Sequence, residues 1–288
     1  MKKQLLINAG LLAAILALGL IAWLKPPDSG ATLKVSALKI ADVKSLEIVV
    51  GSAPATVLDR TADGWQITRP IAARAESILV NRLLELLDAK ATERFPATGL
   101  ARYGLNEPYA QVRIGAQQFS FGAVNEMSRE QYVSSGDDVY LLSLRYAAAL
   151  PKSPMDLVSK QLFAADEAPG SFDFGAFKVE QGANQKWTLT TPGVATSDAG
   201  PDDINRWVDG WRLAGALGVQ APTPRKPVGA IDVILKNGTP VTVSILETGA
   251  KTVIARSDQP FEYVLAAQSA KLLLAPPAAA QGATPPPK

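Results

Sequence analysis

GWQITRP at residues 64–70 returns as KWTLTTP at 186–192, with Trp65, Thr68 and Pro70 falling on Trp187, Thr190 and Pro192, each 122 residues on. A chain that uses one pattern twice is confined to folds in which one arrangement of elements is stable twice. Around the first copy, Val43–Val50, Ala55–Asp59 and Trp65–Thr68 alternate as strands, with a turn at Asp63-Gly64. Glu76–Lys90 then reads as a helix, with Leu79, Leu83 and Leu86 on one stripe and Val80, Leu84 and Leu87 widening it. Gln111–Ile114 with Gln118–Phe121, and Gln131–Ser134 with Val139–Leu142, read as two hairpins, followed by a short helix at Leu144–Leu150. The second copy repeats this order. Ala176–Glu180 and Lys186–Thr190 are strands, and Asp202–Leu213 is a helix. Ile231–Lys236 and Val241–Leu246 pair through Asn237-Gly238, expected as a type I′ turn. Thr252–Ala255 and Phe261–Leu265 form the second hairpin, and Ala266–Leu274 a closing helix. Val112 matches Val233, Ile114 matches Leu235 and Tyr140 matches Tyr263, at offsets of 121, 121 and 123. Such small drift is what duplication with short insertions leaves. Each copy is expected to be an antiparallel sheet covered on one face by a helix.

Ahead of this body, Leu5–Leu24 is a run of 20 residues without a charge. At 1.5 Å per residue it would measure roughly 30 Å, the thickness of a bilayer core. Lys2 and Lys3 precede it, Trp23 sits near its end, and Lys25-Pro26-Pro27 stops it. The run exceeds a secretory signal core, and its end, Ile21-Ala22-Trp23-Leu24, suits cleavage poorly. The expectation is an uncleaved transmembrane helix with the amino terminus cytoplasmic and the body periplasmic in a bacterial inner membrane. The full expected fold class is thus α+β: one N-terminal transmembrane helix followed by two repeated antiparallel-sheet-plus-helix units. Its parts are an anchor at 1–25, a tether at 26–41, a first repeat at 42–160, a second at 170–274 and a Pro/Ala-rich disordered tail at 275–288.

The chemistry open to the chain is narrow. It contains no cysteine and no histidine, which excludes disulfides, thiolate chemistry and imidazole catalysis or ligation. A Ser–His–Asp triad cannot be assembled. Net charge is +2 without a basic cluster, so no nucleic-acid partner is expected. Asp202 and Asp203 follow Pro201 at a helix start, where acids cap amides, and Asp137-Asp138 occupies a hairpin tip. No catalytic, metal or cofactor residue is assigned. Trp65 and Trp187 read as core anchors rather than stacking platforms. Trp207 and Trp211, four apart on one helix with Ile204 and Ala214, read as a stripe buried against the sheet rather than a carbohydrate shelf, and, flanked by Arg206 and Arg212, they are also the candidate partner surface. Sheet edges and the apolar stripe of Glu76–Lys90 are further docking candidates.

Three stretches carry a resemblance: YGLNEP at 103–108, QVRIGAQQFSFG at 111–122 and REQYVSSGDDVYLL at 129–142. A turn ending in Pro, a strand containing Arg113–Gly115 and the hairpin Tyr132–Leu142 resemble a bacterial membrane-anchored family known as a domain of unknown function, the 4340 domain. The likeness is good over roughly residues 60–160 and loose in the second copy, and Leu100-Ala101-Arg102-Tyr103 departs slightly from the more hydrophobic form of the turn. It transfers no catalytic residue. It implies association with ABC-type export systems of the gliding-motility kind. The expected function is therefore a non-enzymatic, membrane-tethered periplasmic scaffold, an accessory subunit of an ABC-type transport or envelope-assembly complex, with an ABC permease as partner. The alternative is a periplasmic module binding lipid, glycan or peptidoglycan. A carboxylate hydrolase would need two acids facing each other across a cleft.

Overall fold

A computed structural model describes residues 33–193 and 199–278. In chain order β1 (Leu33–Lys34) precedes the run β2 (Ser45–Val50), β3 (Thr56–Thr61), β4 (Gly64–Arg69) and β5 (Ala73–Arg74). Helix α1 (Ser77–Leu84) follows, then β6 (Lys90–Ala91) and β7 (Arg94–Pro96). Next come β8 (Ala110–Ile114), β9 (Gln117–Asn125), β10 (Glu130–Ser135), β11 (Asp138–Ser143) and the short α2 (Arg145–Ala148). The second half runs β12 (Pro169–Asp173), β13 (Lys178–Gln181), β14 (Trp187–Thr190), α3 (Pro201–Arg212) and β15 (Gly218–Gln220). It closes with β16 (Gly229–Leu235), β17 (Pro240–Glu247), β18 (Lys251–Arg256), β19 (Glu262–Ala266) and α4 (Ala267–Leu274).

Strands β1 and β6 form a two-stranded sheet. The nine-stranded sheet has the order β5-β4-β3-β2-β8-β9-β10-β11-β7, and the eight-stranded sheet β14-β13-β12-β16-β17-β18-β19-β15. Without β5 the two orders correspond strand for strand, β4 to β14 at one end and β7 to β15 at the other. Trp65 and Trp187 fall on corresponding strands, as do Tyr140 on β11 and Tyr263 on β19. Alternation builds these strands. In β16, Ile231, Val233 and Leu235 point inward while Ala230, Asp232 and Ile234 point out. The chain gathers into two compact units. One comprises Leu84–Gln111, Gln117–Ala148 and the chain up to Asp42; the other comprises Val43–Leu83, Val112–Ala116 and the chain from Ala149 on.

Several expectations are corrected. The run Leu5–Leu24 lies outside the described residues, and among the described residues no helix is long and apolar enough to cross a membrane. The longest, α3, has 12 residues and carries Asp202, Asp203, Arg206, Asp209 and Arg212. The α+β class with a spanning helix, and the single-pass inner-membrane, periplasmic placement built on it, give way to a mainly antiparallel β protein of three sheets with short helices. The helix expected over Glu76–Lys90 stops at Leu84, continues as a 3-10 turn at Glu85–Asp88, and gives Lys90–Ala91 to a ladder with β1. Pairing with Leu33–Lys34 overrides helical periodicity there, and Ala91, opposite Leu33, is buried. Its apolar stripe is buried too, apart from half-buried Leu79, leaving only Ile78 strongly exposed, so it offers no broad docking face. The expected type I′ turn at Asn237-Gly238 is a three-residue loop instead. Gly238 N–H donates to Leu235 O, and of the two residues only Gly238 has positive φ, +87°. This is a type I turn closed by a left-handed glycine.

Candidate functional site

The stretches that carry the family resemblance form a packing knot within one unit. Tyr103 lies 4.9 Å from Tyr132 and 5.7 Å from Phe95, ring to ring, above buried Leu105 and Val139. Gly104, at φ +65°, ends the 3-10 turn Leu100–Tyr103. Gly122 lets that turn close down on β9, for a Cβ there would sit 2.3 Å from Tyr103 O and 2.7 Å from Leu105 Cγ. Gln131, 2% exposed, donates through Nε2 to Gly122 O and, at 3.2 Å, to Ala123 O, next to the register shift between β9 and β10. Asp138, expected in a solvated tip, instead holds Arg94 of β7 at 2.6 Å and accepts from the Tyr140 hydroxyl at 3.3 Å. The motif is thus made of packing and backbone satisfaction.

On α3 the expected partner surface comes apart. Trp211 is 0% exposed and Trp207 8%, in an aromatic cluster with Phe172, Phe174 and Phe177. Trp207 Nε1 donates to Ala275 O at 2.8 Å and Trp211 Nε1 to Leu273 O at 3.1 Å, so both indoles lock the end of α4. Arg206 and Arg212 lie on the exposed side, bridged to Asp203 and Asp209. Asp203 also accepts from Gly200 N–H at 3.1 Å, capping the helix start. The four residues therefore share a helix but no surface.

A dense polar cluster that no local sequence pattern marks gathers around Arg256. Arg256, its side chain fully buried, engages all five N–H donors. Nη1 reaches Leu162 O at 2.6 Å and Glu167 Oε2 at 2.8 Å. Nη2 reaches Glu167 Oε1 at 3.0 Å and Asp258 Oδ2 at 2.7 Å, and Nε reaches Asp258 Oδ1 at 3.0 Å. The guanidinium also lies 5.1 Å from the Phe163 ring centroid. Burial alone would raise the Glu167 and Asp258 pKa values, but hydrogen bonding and charge from Arg256 outweigh it and hold both below the usual range. Arg256 itself is shifted upward by the two acids despite its burial. No local signal marks the cluster, because Glu167 and Arg256 are 89 residues apart.

Two cavities carry polar linings. One, of about 390 Å³, is bounded by Trp65, Arg74, Ser77, Ser159, Asp166 and Glu167. Its Arg74 Nη2 is bonded to Gln161 O at 2.9 Å, and Glu167 to Arg256. The larger, about 850 Å³, lies in the other unit and is bounded by Lys34–Ile40, Leu87, Asp88, Lys90 and Gln117. Gln117 there accepts from the Ser36 hydroxyl and donates to Val35 O at 3.1 Å and Ser135 Oγ at 2.8 Å. Among the described residues no group of three or more acidic side chains is placed to hold a metal ion.

Compared with known families, residues 65–209 match a model described as a domain of unknown function, DUF4340. No curated protein and no solved structure matches the chain.

Proposed function

The chain belongs to the domain-of-unknown-function family DUF4340, and from that premise we propose that it is a non-enzymatic scaffold, an accessory subunit that holds another protein in a transport or envelope-assembly complex. The observation that carries this reading is where apolar side chains are left in water. Leu213 is 77% exposed and Leu217 65%, on the connection from α3 to β15, while Trp211 and Ala214 beside them are buried. Singly exposed leucines are ordinary, but two within five residues, on a connection held by buried neighbours, form an apolar knuckle suited to a protein partner. Among the described residues β14 is also an end strand of its sheet, and a sheet edge is a place where a partner strand can add. The most buried charge, Arg256, and the family motif around Tyr103 and Gly122 serve packing, which fits a holding role.

The partner class implied by the family resemblance is an ABC permease. Affinity capture of the full chain under mild extraction, read by mass spectrometry, tests the reading. A stoichiometric partner is expected, and Leu213→Ser with Leu217→Ser should release it without moving the urea midpoint. Recovery of the chain alone from every extraction overturns the proposal. A second reading, a module that binds a lipid or glycan, is favoured by the 850 Å³ cavity, which is within the usual size range of ligand pockets.

A further inference from the structure

The register of β1 and β6 sets Lys34 directly opposite Lys90. Like charges facing each other across an antiparallel pair repel, and sheets ordinarily place an acid or a neutral residue there. Lys39 reaches the same cavity from the following stretch, LKVSALKI, which contains no acid. Asp88 is the one carboxylate on the lining, against three lysines. Among the described residues none of Lys34, Lys39 and Lys90 has a described carboxylate within ion-pair distance. The other polar groups are already engaged, since Ser36 and Gln117 bond each other and Gln117 is also bonded to Val35 and Ser135. The rest of the lining is apolar. Val35 and Leu87 are buried, and Leu38 and Ile40 half-buried.

A cavity of this size joins unneutralised ammonium groups to an apolar wall. We propose that it binds an anionic amphiphile, with a phosphate or carboxylate head on Lys34, Lys39 and Lys90 and an apolar body along Val35, Leu38, Ile40 and Leu87. The inference rests on the second reading above and is independent of the scaffold reading. An anion on the lysines cancels the cross-strand repulsion, so binding and pairing of β1 with β6 reinforce each other. The head alone would find only exposed ammonium groups in competition with water, and the tail alone would leave those charges facing each other.

The test is a calorimetric titration of the full chain with hexyl phosphate, inorganic phosphate and hexanol, each below its aggregation limit. Hexyl phosphate is expected to bind saturably, at least tenfold more tightly than either of the others, and to weaken as salt rises. Lys34→Glu with Lys90→Glu should lower its affinity at least tenfold. Lys39→Glu, which lies outside the ladder, should lower it severalfold and guards against loss of the β1–β6 pair. Leu38→Ser should weaken hexyl phosphate and leave inorganic phosphate unchanged. Equal binding of phosphate and hexyl phosphate overturns the proposal, as does affinity unmoved by the lysine substitutions. Binding of hexanol without hexyl phosphate overturns it while leaving the wider binding reading intact. Protein capture through Leu213 and Leu217 is unaffected by any of these outcomes.

Discussion

Arg256 shows how much one side chain can hold. A buried guanidinium is costly unless every donor is met, and here two carboxylates and a carbonyl meet all five. Removing it leaves Glu167 and Asp258 facing each other without a cation. Asp258 is 43% exposed and can recover water, so Arg256→Ala should cost about 3 kcal/mol, the lower end for a broken buried pair, read as a fall in the urea midpoint. The same cluster sets an acid limit. Both carboxylates have folded pKa values below their unfolded ones, so their stabilisation is complete above the unfolded values and is lost as pH falls through the folded ones. Stability of the parent should therefore drop below about pH 4, and Arg256→Met should flatten that drop. An equally steep loss in the variant would show that other carboxylates dominate. Gly122 is the second decisive residue. Its missing Cβ admits the carbonyl of Tyr103, so Gly122→Ala should destabilise by about 3 kcal/mol, the upper end for overpacking, because the obstacle is backbone. Gly218→Ala, with open space around it, should stay within about 0.5 kcal/mol of the parent in the same measurement.

Among the elements, α3 divides most cleanly into a core face and a solvent face. Ile204, Trp207, Val208 and Trp211 are buried, while Arg206, Asp209 and Arg212 are on the outside. Truncating Trp211 to alanine should cost about 3–5 kcal/mol of unfolding free energy by chemical denaturation, since it loses both packing and the bond to Leu273 O. Replacing Arg206 and Arg212 together by alanine should change it by under about 1 kcal/mol, because exposed i,i+3 pairs contribute little. Sequence spacing found this helix within a residue at each end. It missed β12, whose PGSFD lacks the β-branched run that marks a strand, although Phe172 within it is fully buried between β13 and β16. It also missed β7 and β15, two three-residue strands at sheet ends that exist only because β11 and β19 offer them an edge.

Across the full fold, a β-dominated far-UV circular dichroism spectrum with a minor helical contribution is expected; a strongly helical one would contradict the three-sheet architecture. Residue order alone was enough to place the alternating strands, the turn glycines, α3 and the recurrence at a 122-residue offset, because these follow from side-chain periodicity and local backbone preference. It also limited the chemistry, through the lack of cysteine and histidine. Long-range packing was needed to bond the tryptophans of α3 to Leu273 O and Ala275 O, to set Lys34 against Lys90, and to join Arg256 to Glu167 across 89 residues. Those outcomes depend on which strands pair and in what register, and register is set by burial between distant segments that no local window of residues contains.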